Sequence, residues 1–95
     1  MENRADIDAA LKTLKHDRTY AKATHNSWAA HLENGGPVKA DDGEAGAGMV
    51  ILRMLDRATV RNHLIVVTRW YGGKNLGGDR FRHIKTCVRT YLDAI

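Results

Sequence analysis

The strongest constraint on this chain is the stretch Val66–Ile84, VVTRWYGGKNLGGDRFRHI, where an apolar segment enters a loop with four glycines and leaves it into an amphipathic helix. Glycine has no Cβ, so such a loop lets backbone N–H groups come close to a ligand or to a second chain. The helix that follows opens with unpaired N–H groups and the positive end of its dipole, a place suited to anions. Arg69, Lys74, Arg80 and Arg82 add positive charge around that point. The expected occupant is therefore acidic. The loop carries neither the GxxxxGK[ST] of a nucleotide-binding P-loop nor the GxGxxG of a dinucleotide fold. The competing reading is that its glycines serve a tight turn and close helix packing.

Charge is unevenly placed. Residues 1–60 carry eight Lys/Arg against nine Asp/Glu, and residues 61–95 carry seven against two, so the net +4 resides in the last third. A basic end of this kind suits nucleic acid or an acidic protein face, and it also describes a solvated helix face. At 95 residues the chain is expected to form one domain, residues 1–95. No apolar run approaches the roughly 20 residues of a membrane span. The polar start MENRADID is unlike a signal peptide, and one cysteine fits a reducing cytoplasm. A soluble cytoplasmic protein is expected, with no membrane association.

Periodicity gives the element order α-β-β-α-β-α. Asp6 is read as an N-cap before Ile7, Leu11 and Leu14, giving a helix over 7–16. A loosely alternating strand covers 20–32, and Asn34-Gly35-Gly36-Pro37 turns it into a short extended piece at 38–40. Met49, Leu52 and Leu55 mark a helix to about Ala58. Leu64–Val67 is continuously apolar and reads as a central strand covered on both faces. The last helix starts near Asp79, with an apolar stripe of Phe81, Ile84, Cys87, Val88, Tyr91, Leu92 and Ile95. The expected fold class is α+β, a two-layer sandwich with helices on one sheet face.

Several residues carry candidate chemistry. Asp41, Asp42 and Glu44 either cap the following helix, where its dipole favours negative charge, or hold a divalent cation; capping is preferred. Arg69 is expected to contact Asp42 or Glu44. His25 is read as a hydrogen-bonded structural residue rather than a catalyst. Ser27 is the one serine, and strand alternation is read as placing it on the opposite face from His25, which would rule out a dyad. Cys87 is assigned to the core. Trp70 and Tyr71 either anchor a partner beside the arginines or pack at the rim. No catalytic residue, no metal ligand and no cofactor is assigned.

Three blocks carry a family resemblance: Ala23-Thr24-His25-Asn26; Asp41-Asp42-Gly43-Glu44; and Arg69-Trp70-Tyr71-Gly72-Gly73 with Leu76-Gly77 and Asp79-Arg80-Phe81. In this order the chain, from about Asp17 to Ile95, resembles the ancient domain of the IMPACT family, called YigZ in bacteria. The Asp-Arg-Phe-x-His-Ile ending is more similar to the eukaryotic branch. The resemblance implies the fold of the second domain of a small-subunit ribosomal protein and of domain IV of elongation factor G. It also implies a non-enzymatic regulatory or adaptor role in translation or stress response. The eukaryotic relatives bind an activator of the starvation-responsive initiation-factor kinase and so restrain that kinase. The expected binding residues are Thr24, His25, Asp42, Glu44, Arg69, Trp70, Tyr71, Gly72, Gly73, Lys74, Leu76, Gly77, Arg80 and Arg82. The alternatives are an RNA- or ribosome-binding module, and a small-ligand binder or enzyme using His25, Asp42, Glu44 and Arg69. The RWD domain of the eukaryotic members and the ferredoxin-like domain of the bacterial ones fall outside these 95 residues. Only Met1–Ala5 precede the first helix, so the family's opening strand is expected to be missing. The open sheet edge would then pair with a partner strand or form a homodimer.

Overall fold

The computed structural model describes residues 3–17, 25–43, 45–69 and 79–95, the side chains of 69, 79 and 80 aside. The elements are α1 (Arg4–His16), β1 (His25–Leu32), β2 (Gly36–Ala40), α2 (Ala47–Arg57), β3 (Leu64–Arg69) and α3 (Asp79–Ala94). The chain is an α+β protein whose antiparallel sheet has the order β2-β1-β3. Among the described residues no helix is long and apolar enough to cross a membrane.

Helix α1 starts earlier than its periodicity suggests. Asn3 is the N-cap, its side chain accepting from the Asp6 N–H at 3.0 Å, and Asp6 sits within the first turn. An amide oxygen at Asn3 satisfies a donor the helix would otherwise leave orphaned, while Asp6 complements the dipole. Lys15 and His16 favour the other end.

The hairpin Gly36–Ala40 returns along β1 with Trp28 opposite Ala40 and Leu32 opposite Gly36. On the far side β3 pairs with β1, His25 opposite Arg69 and Ala30 opposite Leu64. Strand β1, not β3, is therefore central among the described strands. The apolar run Leu64–Val67 is an edge strand in hydrogen-bonding terms, apolar because helices cover both its faces. Alternation then sorts the core. Trp28, Ala30 and Leu32 of β1, with Ile7 of α1, form one cluster, against which Leu11, Val38, Leu64 and Val66 pack. Ala29, Ile65 and Val67 join Ile51, Leu55, Ile84 and Val88 of α2 and α3 in the other. The expected layer of helices on one sheet face is present in α2 and α3, and α1 adds a layer on the opposite face.

On α3 the buried stripe is narrower than its apolar pattern. Ile84 and Val88 are buried, Phe81 and Leu92 half-buried, and Tyr91 and Ile95 exposed. Cys87 is exposed, not core. It precedes Val88 by one residue, about 100° around a helix that packs on one side only.

The ribosomal-domain classification remains an implication of the family resemblance. No strand precedes α1 among the described residues. The outer edge of β2 carries Pro37 and Lys39, residues that discourage pairing.

Candidate functional site

The start of β1 and the loop after β2 build one compact polar cluster. Continuing the β1–β2 register past Trp28 and Ala40 sets Ser27 opposite Asp41, Asn26 opposite Asp42 and His25 opposite Gly43. Beyond the ladder, which ends at Ala40, hydrogen bonds made by side chains hold the two segments together. Ser27 Oγ donates to the Asp41 carbonyl at 2.8 Å. The Asn26 N–H donates to the Asp42 carboxylate at 2.6 Å. His25 Nδ1 lies 2.7 Å from the Asp42 carbonyl, which can only accept, so that nitrogen carries the proton.

The loop turns away from the strand because Asp42 (φ 50°) and Gly43 (φ 83°) adopt left-handed backbone. Aspartate tolerates that region better than most residues. At Gly43 a Cβ would also stand 3.2 Å from the His25 ring. His25 and Ser27 are two residues apart and thus share a strand face, contrary to the expectation of opposite faces. They do not form a dyad for a different reason: the Ser27 hydroxyl donates to the Asp41 carbonyl rather than to the imidazole.

Asp41 holds the next helix. The N-cap of α2 is Gly46, which has no side chain to offer. The Asp41 carboxylate takes that role from five residues upstream, accepting from the N–H of Gly46 at 3.1 Å and of Gly48 at 2.8 Å. These two backbone hydrogen bonds lower its pKa below the ordinary 3.8. Capping is thus the observed role of Asp41. A Cβ at Gly48 would sit 2.9 Å from Asp41 Oδ1 and 3.1 Å from the Ala40 carbonyl, so close approach of α2 to the end of β2 requires glycine there.

Cross-strand pairing brings the Arg69 backbone beside His25. A Cβ at Gly46 would stand 3.2 Å from Phe81 Cζ, so the first turn of α3 reaches the start of α2. The end of the acidic loop and the helix that follows the glycine-rich loop are therefore neighbours. Thr24, Glu44, Trp70, Tyr71, Gly72, Gly73, Lys74, Leu76 and Gly77 lie outside the described residues, as do the side chains of Arg69 and Arg80. The expected contact of Arg69 with Asp42 or Glu44 falls there too. Arg82 is exposed on α3, beside Lys85 and Arg89.

Two further clamps had no signal in the sequence. At the other end of β1, His31 Nδ1 donates to Asp56 at 2.6 Å, and Arg61 lies 3.6 Å from the same carboxylate oxygen. The Asn62 N–H donates to the His31 carbonyl at 2.9 Å. His63 and the Tyr91 hydroxyl hydrogen-bond between the lead-in to β3 and α3. A cavity of about 250 Å³ lies between α1 and the sheet, lined by Leu11, Leu14, Trp28 and Asp42 among others. Among the described residues no three His, Cys, Asp or Glu side chains converge as metal ligands would.

The sequence matches a known family. The model of the Impact N-terminal domain matches residues 1–92. The chain belongs to that family. Protein IMPACT homolog of Caenorhabditis elegans is 39% identical over 99 residues, covering 97% of this chain and 38% of the relative. Protein IMPACT-B of Xenopus tropicalis is 42% identical over 97 residues, covering 97% of this chain and 31% of its own length. An IMPACT family member of Saccharomyces cerevisiae is 62% identical over 49 residues, 52% of this chain and 29% of that protein. The chain thus spans about a third of the length of these IMPACT relatives. No solved structure matches. Within this family domain, the cluster is a set of backbone clamps. Its histidine and its serine are both committed to carbonyls, and its two aspartates to amides.

Proposed function

We propose that this IMPACT-family chain is a non-enzymatic adaptor of translation or stress control, acting in the cytoplasm by binding a protein partner. The observation that supports this is the commitment of Ser27, Asp41, Asp42 and the Nδ1 of His25 to backbone groups. A nucleophile needs a free base within hydrogen-bond reach. Here the Ser27 hydroxyl donates to the Asp41 carbonyl rather than to His25. Such a cluster fixes the shape of a surface, and shape held without reorganisation lowers the cost of binding. The partner implied by the family resemblance is an activator of the starvation-responsive initiation-factor kinase.

The test is titration calorimetry of this chain against that purified activator, with kinase output measured alongside. Binding with a Kd of about 10 μM or tighter, and reduced phosphorylation of the initiation factor, is the expected result. Asp42→Ala should weaken binding by freeing the loop. Absence of binding at about 100 μM of each protein would reject the reading.

The outer edge of β3, which has no strand partner among the described residues, is where we propose that a second chain adds. Light scattering over a concentration series separates a homodimer from pairing with a different protein.

A further inference from the structure

We infer that the groove between α2 and α3 is a docking surface for an acidic amphipathic helix of a protein partner. Its floor is apolar: Met54 and Ala58 from the end of α2, and Leu92 from α3. Arg57 and Arg89 stand on its two sides, and the concavity is about 300 Å³. Arg89 also borders a second concavity of about 490 Å³ along α3, flanked by Arg82 and Lys85. The two share Arg89 and so run together along one side of the helix. From Arg82 to Leu92 this side covers about 15 Å of helix axis, some three turns.

The charges on this surface are unbalanced. Arg82, Lys85 and Arg89 are spaced i, i+3, i+7 and all are exposed. Among the described residues none of them, nor Arg57, lies within ion-pair distance of a carboxylate. Like charges at such spacing cost a helix a few tenths of a kcal/mol per pair. Helix α1, by contrast, balances Arg4 with Asp8 at 3.1 Å. Three cations along α3 and Arg57 across the groove outnumber Asp93 on the same face of α3, and around an apolar floor they are complementary to a helix carrying Glu or Asp flanking a Leu-type stripe.

Nucleic acid fits the geometry less well. A phosphate backbone has no use for the Met54–Leu92 floor, and bases need an aromatic platform. Phe81, the one aromatic ring among the described residues bordering the second concavity, is directed toward Gly46 and packs against the core. The inference rests on the protein-binding reading only in expecting protein rather than RNA, and the experiment separates the two.

The experiment is fluorescence anisotropy with the full chain and three labelled probes. One is a helical peptide of about 18 residues with Leu at i, i+3/i+4 spacing and Glu elsewhere. The second replaces each Glu by Lys, and the third is an oligouridine of about 20 nucleotides. The Glu peptide should bind, the Lys peptide should not, and the RNA should bind at least about tenfold more weakly than the Glu peptide. Arg57→Glu with Arg89→Glu should weaken the Glu peptide about tenfold or more. Lys12→Glu with Lys15→Glu on α1 makes the same change in net charge and should leave binding within about twofold. Circular dichroism and thermal midpoints verify that both variants fold. Equal loss in the two variants would reduce the effect to net charge and overturn the inference. Tighter binding of RNA through Arg57 and Arg89 would also overturn it and assign the groove to nucleic acid. Failure of the Glu peptide alone to bind would overturn the groove assignment and leave the adaptor reading to its own calorimetry.

Discussion

The two faces of the sheet are held by different means. On one face α2 contributes five buried residues, Ala47, Gly48, Ile51, Leu52 and Leu55, and α3 adds Ile84 and Val88. On the other, α1 contributes one buried side chain, Ile7, and otherwise rests half-buried leucines on the sheet. Helix α2 has no side-chain cap of its own and relies on packing and on a borrowed carboxylate. Helix α1 has a local cap, an i,i+4 ion pair and an Arg4 guanidinium 5.1 Å from the centre of the Trp28 ring. The difference shows two routes to a stable helix: burial, which contributes about 1.5–3 kcal/mol per large apolar side chain, and local terms of a few tenths to about 1 kcal/mol each.

The largest expected effects lie on the α2 face. Leu55→Ala or Ile51→Ala, at fully buried positions, should cost about 3–5 kcal/mol in denaturant unfolding. Ile7→Ala should cost about 2–3 kcal/mol, because a helix anchored by one buried residue can settle into the space. Equal losses would erase the contrast between the faces. Amide exchange should likewise be faster in α1 than in α2.

Next comes Gly48→Ala. At an exposed helix interior this change gains about 1 kcal/mol. Here the new methyl meets Asp41 Oδ1 at 2.9 Å and the Ala40 carbonyl at 3.1 Å, so a loss of about 1–3 kcal/mol is expected. A stabilised variant would mean that α2 moves off β2 without penalty.

The borrowed cap sets the third expectation. Asp41→Asn should cost about 1 kcal/mol at neutral pH. The folded-state pKa of Asp41 is lowered, so its contribution is present above the unfolded value of 3.8 and is lost as pH falls below it, through the folded value. Unfolding free energy of the parent chain should therefore drop in that acid window relative to Asp41→Asn. Parallel pH profiles would show that the carboxylate charge is not what caps α2.

The smallest effect belongs to α1. Arg4→Ala removes an ion pair whose side chains are 56% and 60% exposed, together with the Trp28 contact. Solvent-exposed pairs contribute little, and a loss within about 1 kcal/mol is expected. A larger loss, read from the same unfolding curves, would mean that local terms carry α1 more than its buried residue does.

Much of the fold is legible in the sequence. The order of six elements, the hairpin at Asn34–Pro37 and the start of α3 at Asp79 all follow from periodicity and turn chemistry. The cluster at the start of β1 was only partly legible. His25 and the acidic loop stood out as residues, but the roles of Ser27, Asn26 and Gly48 did not, because each depends on which residue the hairpin register places opposite. The exposure of Cys87 was misread because its helix buries a narrower stripe than its apolar pattern.

The sequence by itself determined the elements, their order and the family, because caps, glycines and apolar spacing act within about one turn of the chain. Tertiary structure decided that β1 rather than β3 is central, that α1 covers the face opposite α2 and α3, and that Asp41 caps a helix it does not belong to. Those outcomes depend on pairings between residues far apart in the chain, His25 with Arg69 and His31 with Asp56 among them. No local pattern encodes such pairings, since a strand's neighbours are chosen by the burial of the whole sheet.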